Sequence, residues 1–82
     1  MAKSRRTPEL VRIGTVIKAR REALGEVRRV FAERAGISAD HLKDIENGHQ
    51  PARRVMYQRI AAALDMDEGE MDELTGQKVA VK

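Results

Sequence analysis

The sequence predicts an all-α fold, one compact domain of five helices, and three observations predict it. The chain has 82 residues, the length of a single domain. Its only aromatic residues are Phe31 and Tyr57, so Leu, Ile, Val, Met and Ala must build the core, which suits helices better than sheets. Apolar residues recur at three- and four-residue steps between start and stop signals, and no useful stretch alternates with strand period. A domain this small buries only about 60% of its unfolded surface, so its stability margin is thin.

Residues 1–6 read as a flexible basic arm and residues 7–76 as the folded domain. Thr7-Pro8-Glu9 is a helix start, with Thr as N-cap, Pro at the first helical position and an acid in the first turn. Leu10, Ile13, Val16, Ile17 and Leu24 then form one apolar stripe. Gly14 interrupts this helix and weakens it by roughly 1 kcal/mol relative to Ala. Gly25 ends it. A second helix covers about residues 27–35, with Val30, Phe31 and Ala35 inward and Gly36 as terminator. Ser38 caps a third, about residues 39–47, with Leu42 and Ile45 inward. Gly48 stops it and opens a loop to Pro51.

The fourth helix covers about residues 52–64 and offers Met56, Tyr57, Ile60, Ala61 and Leu64 to the core. The fifth, about residues 68–75, has Asp67 and Glu70 spaced as a capping box and Gly76 as its stop. Met66, Met71 and Leu74 would pack there. Residues 77–82 read as a frayed, flexible tail.

Several functions are excluded or disfavoured. Without cysteine there is neither a disulfide framework nor a Cys-based zinc site. No run approaches 18 apolar residues, so no membrane partner is expected, and the basic start lacks the apolar stretch of a secretory signal. The expected compartment is the cytoplasm. His41 and His49 lie eight apart across a helix end, which is not metal-ligand spacing. The acids between Asp65 and Glu73 lack the order of a calcium loop and read as a solvated face. No nucleophile motif or phosphate-cradling glycine loop occurs. The reading is therefore of a protein that is not an enzyme, with no catalytic residue, metal or cofactor.

The net charge of +3 is unevenly spread. Residues 1–37 hold ten Lys/Arg against four Asp/Glu, a balance of +6; residues 38–82 hold six against nine, a balance of −3. A basic half favours a polyanionic partner such as nucleic acid. The competing reading is a solvated charged surface.

Residues 28–47 are the informative stretch. Two short helices are joined by Ala35-Gly36-Ile37-Ser38. A steep crossing over so short a turn needs a small residue at the approach, which Ala32 supplies. It needs a residue free to take positive φ, which Gly36 supplies. Leu42 and Ile45 face back to the first helix of the pair. This is the helix-turn-helix arrangement.

The segments I-G-T-V-I-K-A-R-R-E-A-L-G, F-A-E-R-A-G-I-S, L-K-D-I-E-N-G and I-A-A-A-L occur in that order and spacing. Through them the chain resembles the lambda-repressor-like (XRE, Cro/CI) helix-turn-helix family over residues 13–74. The resemblance implies five helices, a recognition helix in the major groove of double-stranded DNA, and a homodimer on a two-fold operator. It implies an ion pair between Arg21 and Glu46 that orients the recognition helix if buried, or a surface pair worth under about 1 kcal/mol if not. It places Ser38, Ala39, Asp40, His41, Lys43 and Asp44 as base-contact candidates. Phosphate-contact candidates are Arg28, Arg29, Asn47, His49, Arg53 and Arg54. Lys3, Arg5 and Arg6 are candidates to enter a neighbouring minor groove.

Three features depart from the family pattern. Val27 and Glu26 stand where a Ser or Thr cap and an apolar residue are usual, so the second helix is expected to start irregularly. Pro51 comes early after Gly48, and Arg54 replaces an apolar residue, so the following loop is expected to differ. Asp40 and Asp44 make the recognition helix acidic. Either they exclude wrong bases while nearby arginines supply affinity, or this surface has turned toward protein.

The resulting expectation is a DNA-binding transcription regulator, a dimeric repressor acting by occupancy, cytoplasmic and nucleoid-associated when bound. With no room for a ligand-sensing domain, control would come from concentration or a protein partner. The rival is an antitoxin-like or adaptor module that uses the same scaffold to bind protein.

Overall fold

The computed structural model describes residues 6–77 and, among them, five helices and no strand. They are α1 (Pro8–Ala23), α2 (Arg28–Ala35), α3 (Ala39–Glu46), α4 (Arg54–Leu64) and α5 (Glu68–Thr75). Residues 1–5 of the expected arm at 1–6, Lys3 and Arg5 among them, and residues 78–82 of the expected tail at 77–82 lie outside the described residues. Gln77, expected to begin that tail, is anchored: its side-chain amide donates to the Ala52 carbonyl at 2.9 Å.

The starts and stops follow local chemistry. Thr7 is extended and its hydroxyl accepts from the Leu10 N–H at 3.1 Å, with Pro8 opening α1. Gly36 takes φ 76° after α2, and the Ile37 N–H reaches back to the Ala32 carbonyl at 3.0 Å. The α2 start carries no side-chain cap, as the missing Ser or Thr implies. It is nonetheless closed, because Phe31 N–H donates to the Val27 carbonyl at 3.0 Å. Helix α4 begins at Arg54 rather than near Ala52, whose N–H donates instead to the Tyr57 hydroxyl.

The core is one cluster: Ile13 and Ile17 from α1, Phe31, Ala32 and Ala35 from α2, Leu42 and Ile45 from α3, Tyr57, Ile60, Ala61, Ala63 and Leu64 from α4, with Ala52, Met66 and Met71 closing it. Two residues of the expected stripes turn outward. Val30 is exposed because α2 buries Phe31, Ala32 and Ala35 against α3 and α4, and its neighbour Val30 sits about 100° away around the helix. Leu24, the C-cap of α1, lies past the packed turns and is also exposed.

The capping box at α5 does not form. Asp67 is the N-cap residue but its side chain makes no cap bond, and the Glu70 carboxylate is taken by Arg20 of α1. The acidic face is thus partly paired, since Asp72 also accepts both nitrogens of Arg54.

Gly14 has a role that helix propensity does not reveal. A Cβ built there would lie 2.4 Å from the carbonyl oxygens of Ile45 and Glu46. The middle of α1 therefore crosses the end of α3 in backbone contact. A Cβ on Gly48, which takes φ 73°, would lie 2.9 Å from the backbone of Val11. Two glycines let α1 seat the last turn of α3.

Candidate nucleic-acid interface

Helix α3 is held from three sides. Leu42 and Ile45 are fully buried beneath it. At its start the Ser38 hydroxyl accepts from the His41 N–H at 3.0 Å, and at its end Glu46 is locked. The Glu46 side chain is fully buried and accepts from Arg21 through two nitrogens, at 2.6 and 3.1 Å. Arg21 is buried with it, and its remaining Nη1 donates to the Glu26 carbonyl at 2.7 Å. The hydrogen bond to Glu46 raises the Arg21 pKa above its ordinary value, against the opposing effect of burial.

A third donor completes the site. Arg28 Nε reaches Glu46 Oε1 at 3.1 Å, which sets the start of α2 beside the end of α3. Sequence reasoning missed this bond. A buried carboxylate has about four lone-pair sites and one bidentate arginine fills two, so a further donor was to be sought among nearby cations.

The base-contact candidates divide by surroundings. Asp40 and Lys43 are exposed, three residues apart on one face. His41 and Asp44 are half-buried, with His49 Nδ1 3.9 Å from Asp44. Ala39 packs against the core, and Ser38 serves as the cap.

The phosphate-contact candidates divide too. Arg28 keeps both Nη groups beyond its bond to Glu46. Arg29 and Arg53 are exposed, and among the described residues they are the arginines whose side chains make no hydrogen bond or ion pair. Asn47 and His49 lie at and just past the end of α3. Arg54 is placed differently. Its Nε and Nη2 grip Asp72 at 2.9 and 2.8 Å, so its guanidinium is a clasp between α4 and α5. Arg6 also has an internal partner, the Asn47 carbonyl at 3.1 Å, which brings the amino-terminal end of the described chain to the end of α3.

Among the described residues no group of three or more His, Asp or Glu is placed to hold a metal ion, and no helix is long and apolar enough to cross a membrane.

The sequence profile of the helix-turn-helix domain family matches residues 12–74. The chain belongs to this family, in its lambda-repressor-like form. Among solved structures it is similar to the restriction-modification controller protein C.AhdI from Aeromonas hydrophila, at 25% identity and TM-score 0.73 over 77% of this chain and 91% of that one. It is also similar in fold to the clp gene regulator ClgR from C. glutamicum, at 17% identity and TM-score 0.72 over 93% of this chain and 99% of that one. No curated protein matches it by sequence.

Proposed function

We propose that this chain is a transcription regulator that binds duplex DNA sequence-specifically, as a dimer on a two-fold operator, and represses by occupancy. The observation that carries the reading is the distribution of unengaged cations. Arg29 at the start of α2, Lys43 on α3 and Arg53 at the start of α4 are exposed and have no acceptor within the described protein. Each of these three belongs to α3 or to an element that flanks it in the chain; among the described residues the one other such cation, Lys18, lies on α1. Other arginines, such as Arg12, Arg20, Arg34, Arg54 and Arg59, are committed to internal acceptors. C.AhdI, which shares this fold, is a restriction-modification controller protein, which supports the same class of role.

In this mechanism Arg28, Arg29, Asn47, His49 and Arg53 bind phosphates and supply affinity that falls with salt. The exposed edge of α3 reads bases. Lys3, Arg5 and Arg6 reach a neighbouring minor groove. Arg54 has no part in this surface. The protein works without catalysis, in the cytoplasm and on the nucleoid.

A second reading has one observation in its favour. Leu24, Val27 and Val30 are exposed apolar side chains along the end of α1 and the start of α2, a feature that a protein-binding module would use.

Selection of bound fragments from sheared source-genome DNA at moderate salt, followed by sequencing, separates the two. A recurring two-fold motif with half-sites about ten base pairs apart is expected. Absence of enrichment, with binding lost as salt rises, would leave only charge attraction and favour the protein-binding module.

A further inference from the structure

Resting on the DNA-binding reading, we infer that Asp40 and Lys43 together make the half-site carry adjacent G·C pairs, with Asp40 selecting a cytosine and Lys43 the guanine of the neighbouring pair. Both side chains are exposed on α3, one turn apart. Three residues of helix advance about 4.5 Å, close to the roughly 3.4 Å between successive bases of a strand. The same spacing suits an ion pair between them. They form none, and among the described residues neither side chain has any other partner. Ser38 is spent on the cap, Ala39 on the core, and Asp44 faces His49. Beside the half-buried His41 and Asp44, the fully exposed edge of α3 thus presents one acceptor-only group, Asp40, and one donor-only group, Lys43.

The major groove then decides what this edge accepts. A carboxylate needs an amino group, which only cytosine N4 and adenine N6 present there. On adenine the amino group adjoins the N7 acceptor, which repels a carboxylate; on cytosine it adjoins a C–H. Guanine and thymine offer Asp40 acceptors only. An ammonium has the opposite need, and guanine, with O6 and N7 side by side, satisfies it best. An acid on a DNA-facing helix lowers affinity for every sequence lacking the amino group in the right place, so Asp40 acts chiefly by exclusion.

The test is selection from a random duplex library by the full chain and by D40N and K43A, with melting of each variant measured alongside. The wild type should enrich one cytosine per half-site with guanine at the adjoining pair. D40N should change the cytosine to adenine, because an amide matches adenine N6 and N7, and bind the wild-type motif about tenfold more weakly. K43A should relax only the guanine position. The same motif from wild type and D40N would overturn the inference and leave Asp40 a helix-end charge. A motif lacking the cytosine would also overturn it while sparing the DNA-binding reading. No motif from any of the proteins would overturn both.

Discussion

Among the described residues two arginines, Arg21 and Arg54, grip a carboxylate with two nitrogens each, and their surroundings differ. Arg21 holds Glu46 beneath the end of α3, with side-chain exposures of 7% and 0%. Arg54 holds Asp72 between α4 and α5, with exposures of 35% and 14%. The hydrogen-bond geometry is similar, but the cost of breaking it is not. Removing one partner of the buried pair leaves a charge without water or counterion. Removing Asp72 from the rim pair leaves an Arg54 guanidinium that water reaches. The same contrast separates the two ends of the domain. The α1–α3 crossing is dry, glycine-tight and ionically locked, whereas the α4–α5 corner is a solvated clasp. A helix that must present side chains to a partner in one orientation is built on the first kind of support.

The largest test of this contrast is Glu46→Ala. It should cost about 3–5 kcal/mol, by stranding Arg21 and Arg28. Urea melting would check it, and an unchanged midpoint would show that the buried pair orients nothing. Next is Gly14→Ala. Ala is the better helix former by about 1 kcal/mol, yet its Cβ would meet the carbonyls of Ile45 and Glu46 at 2.4 Å. A net loss of about 1–3 kcal/mol is expected from overpacking, and a gain in stability would contradict the close crossing.

Tyr57→Phe probes the α4 end. The buried hydroxyl accepts from Ala52 N–H at 3.3 Å, and losing it should cost about 1 kcal/mol. Burial also raises the Tyr57 pKa, an effect only partly offset by the Ala52 bond. Unfolded tyrosine titrates near pH 10 (about the ordinary value) while the folded hydroxyl keeps its proton. Its contribution is therefore whole below that pH and is lost as pH rises toward the folded value. The alkaline decline in melting temperature should be shallower in Tyr57→Phe. Smallest is Asp72→Asn at the rim. Its loss should be less than that of Glu46→Ala and should shrink in high salt, which screens exposed charges. Equal losses at the two sites would erase the distinction.

The helices were legible in the sequence because each boundary has local chemistry: Thr7-Pro8, Ser38, Gly36 and Gly76 act on neighbouring backbone groups. What was not legible depends on neighbours distant in the chain. Gly14 reads as a flaw in a helix until the α3 carbonyls stand against it. Asp67 and Glu70 fit a local capping pattern, but Arg20 competes for Glu70 from fifty residues away. Val30 obeys an apolar stripe that the rotation of α2 sets aside in favour of Ala32. Within the site, the Arg21–Glu46 pairing followed from family likeness, whereas the share of Arg28 in that carboxylate and the loss of Arg54 to Asp72 depend on how distant segments meet in the fold.

The central claim is that the α3 side, and not the acidic α5 side, meets DNA. The most direct measurement is a titration of the labelled protein with a selected duplex, following backbone amide chemical shifts. The largest changes are expected at residues 28–29, 38–44 and 47–53, with residues 67–73 undisturbed. Changes centred on residues 67–73, or on Leu24, Val27 and Val30 alone, would contradict the account.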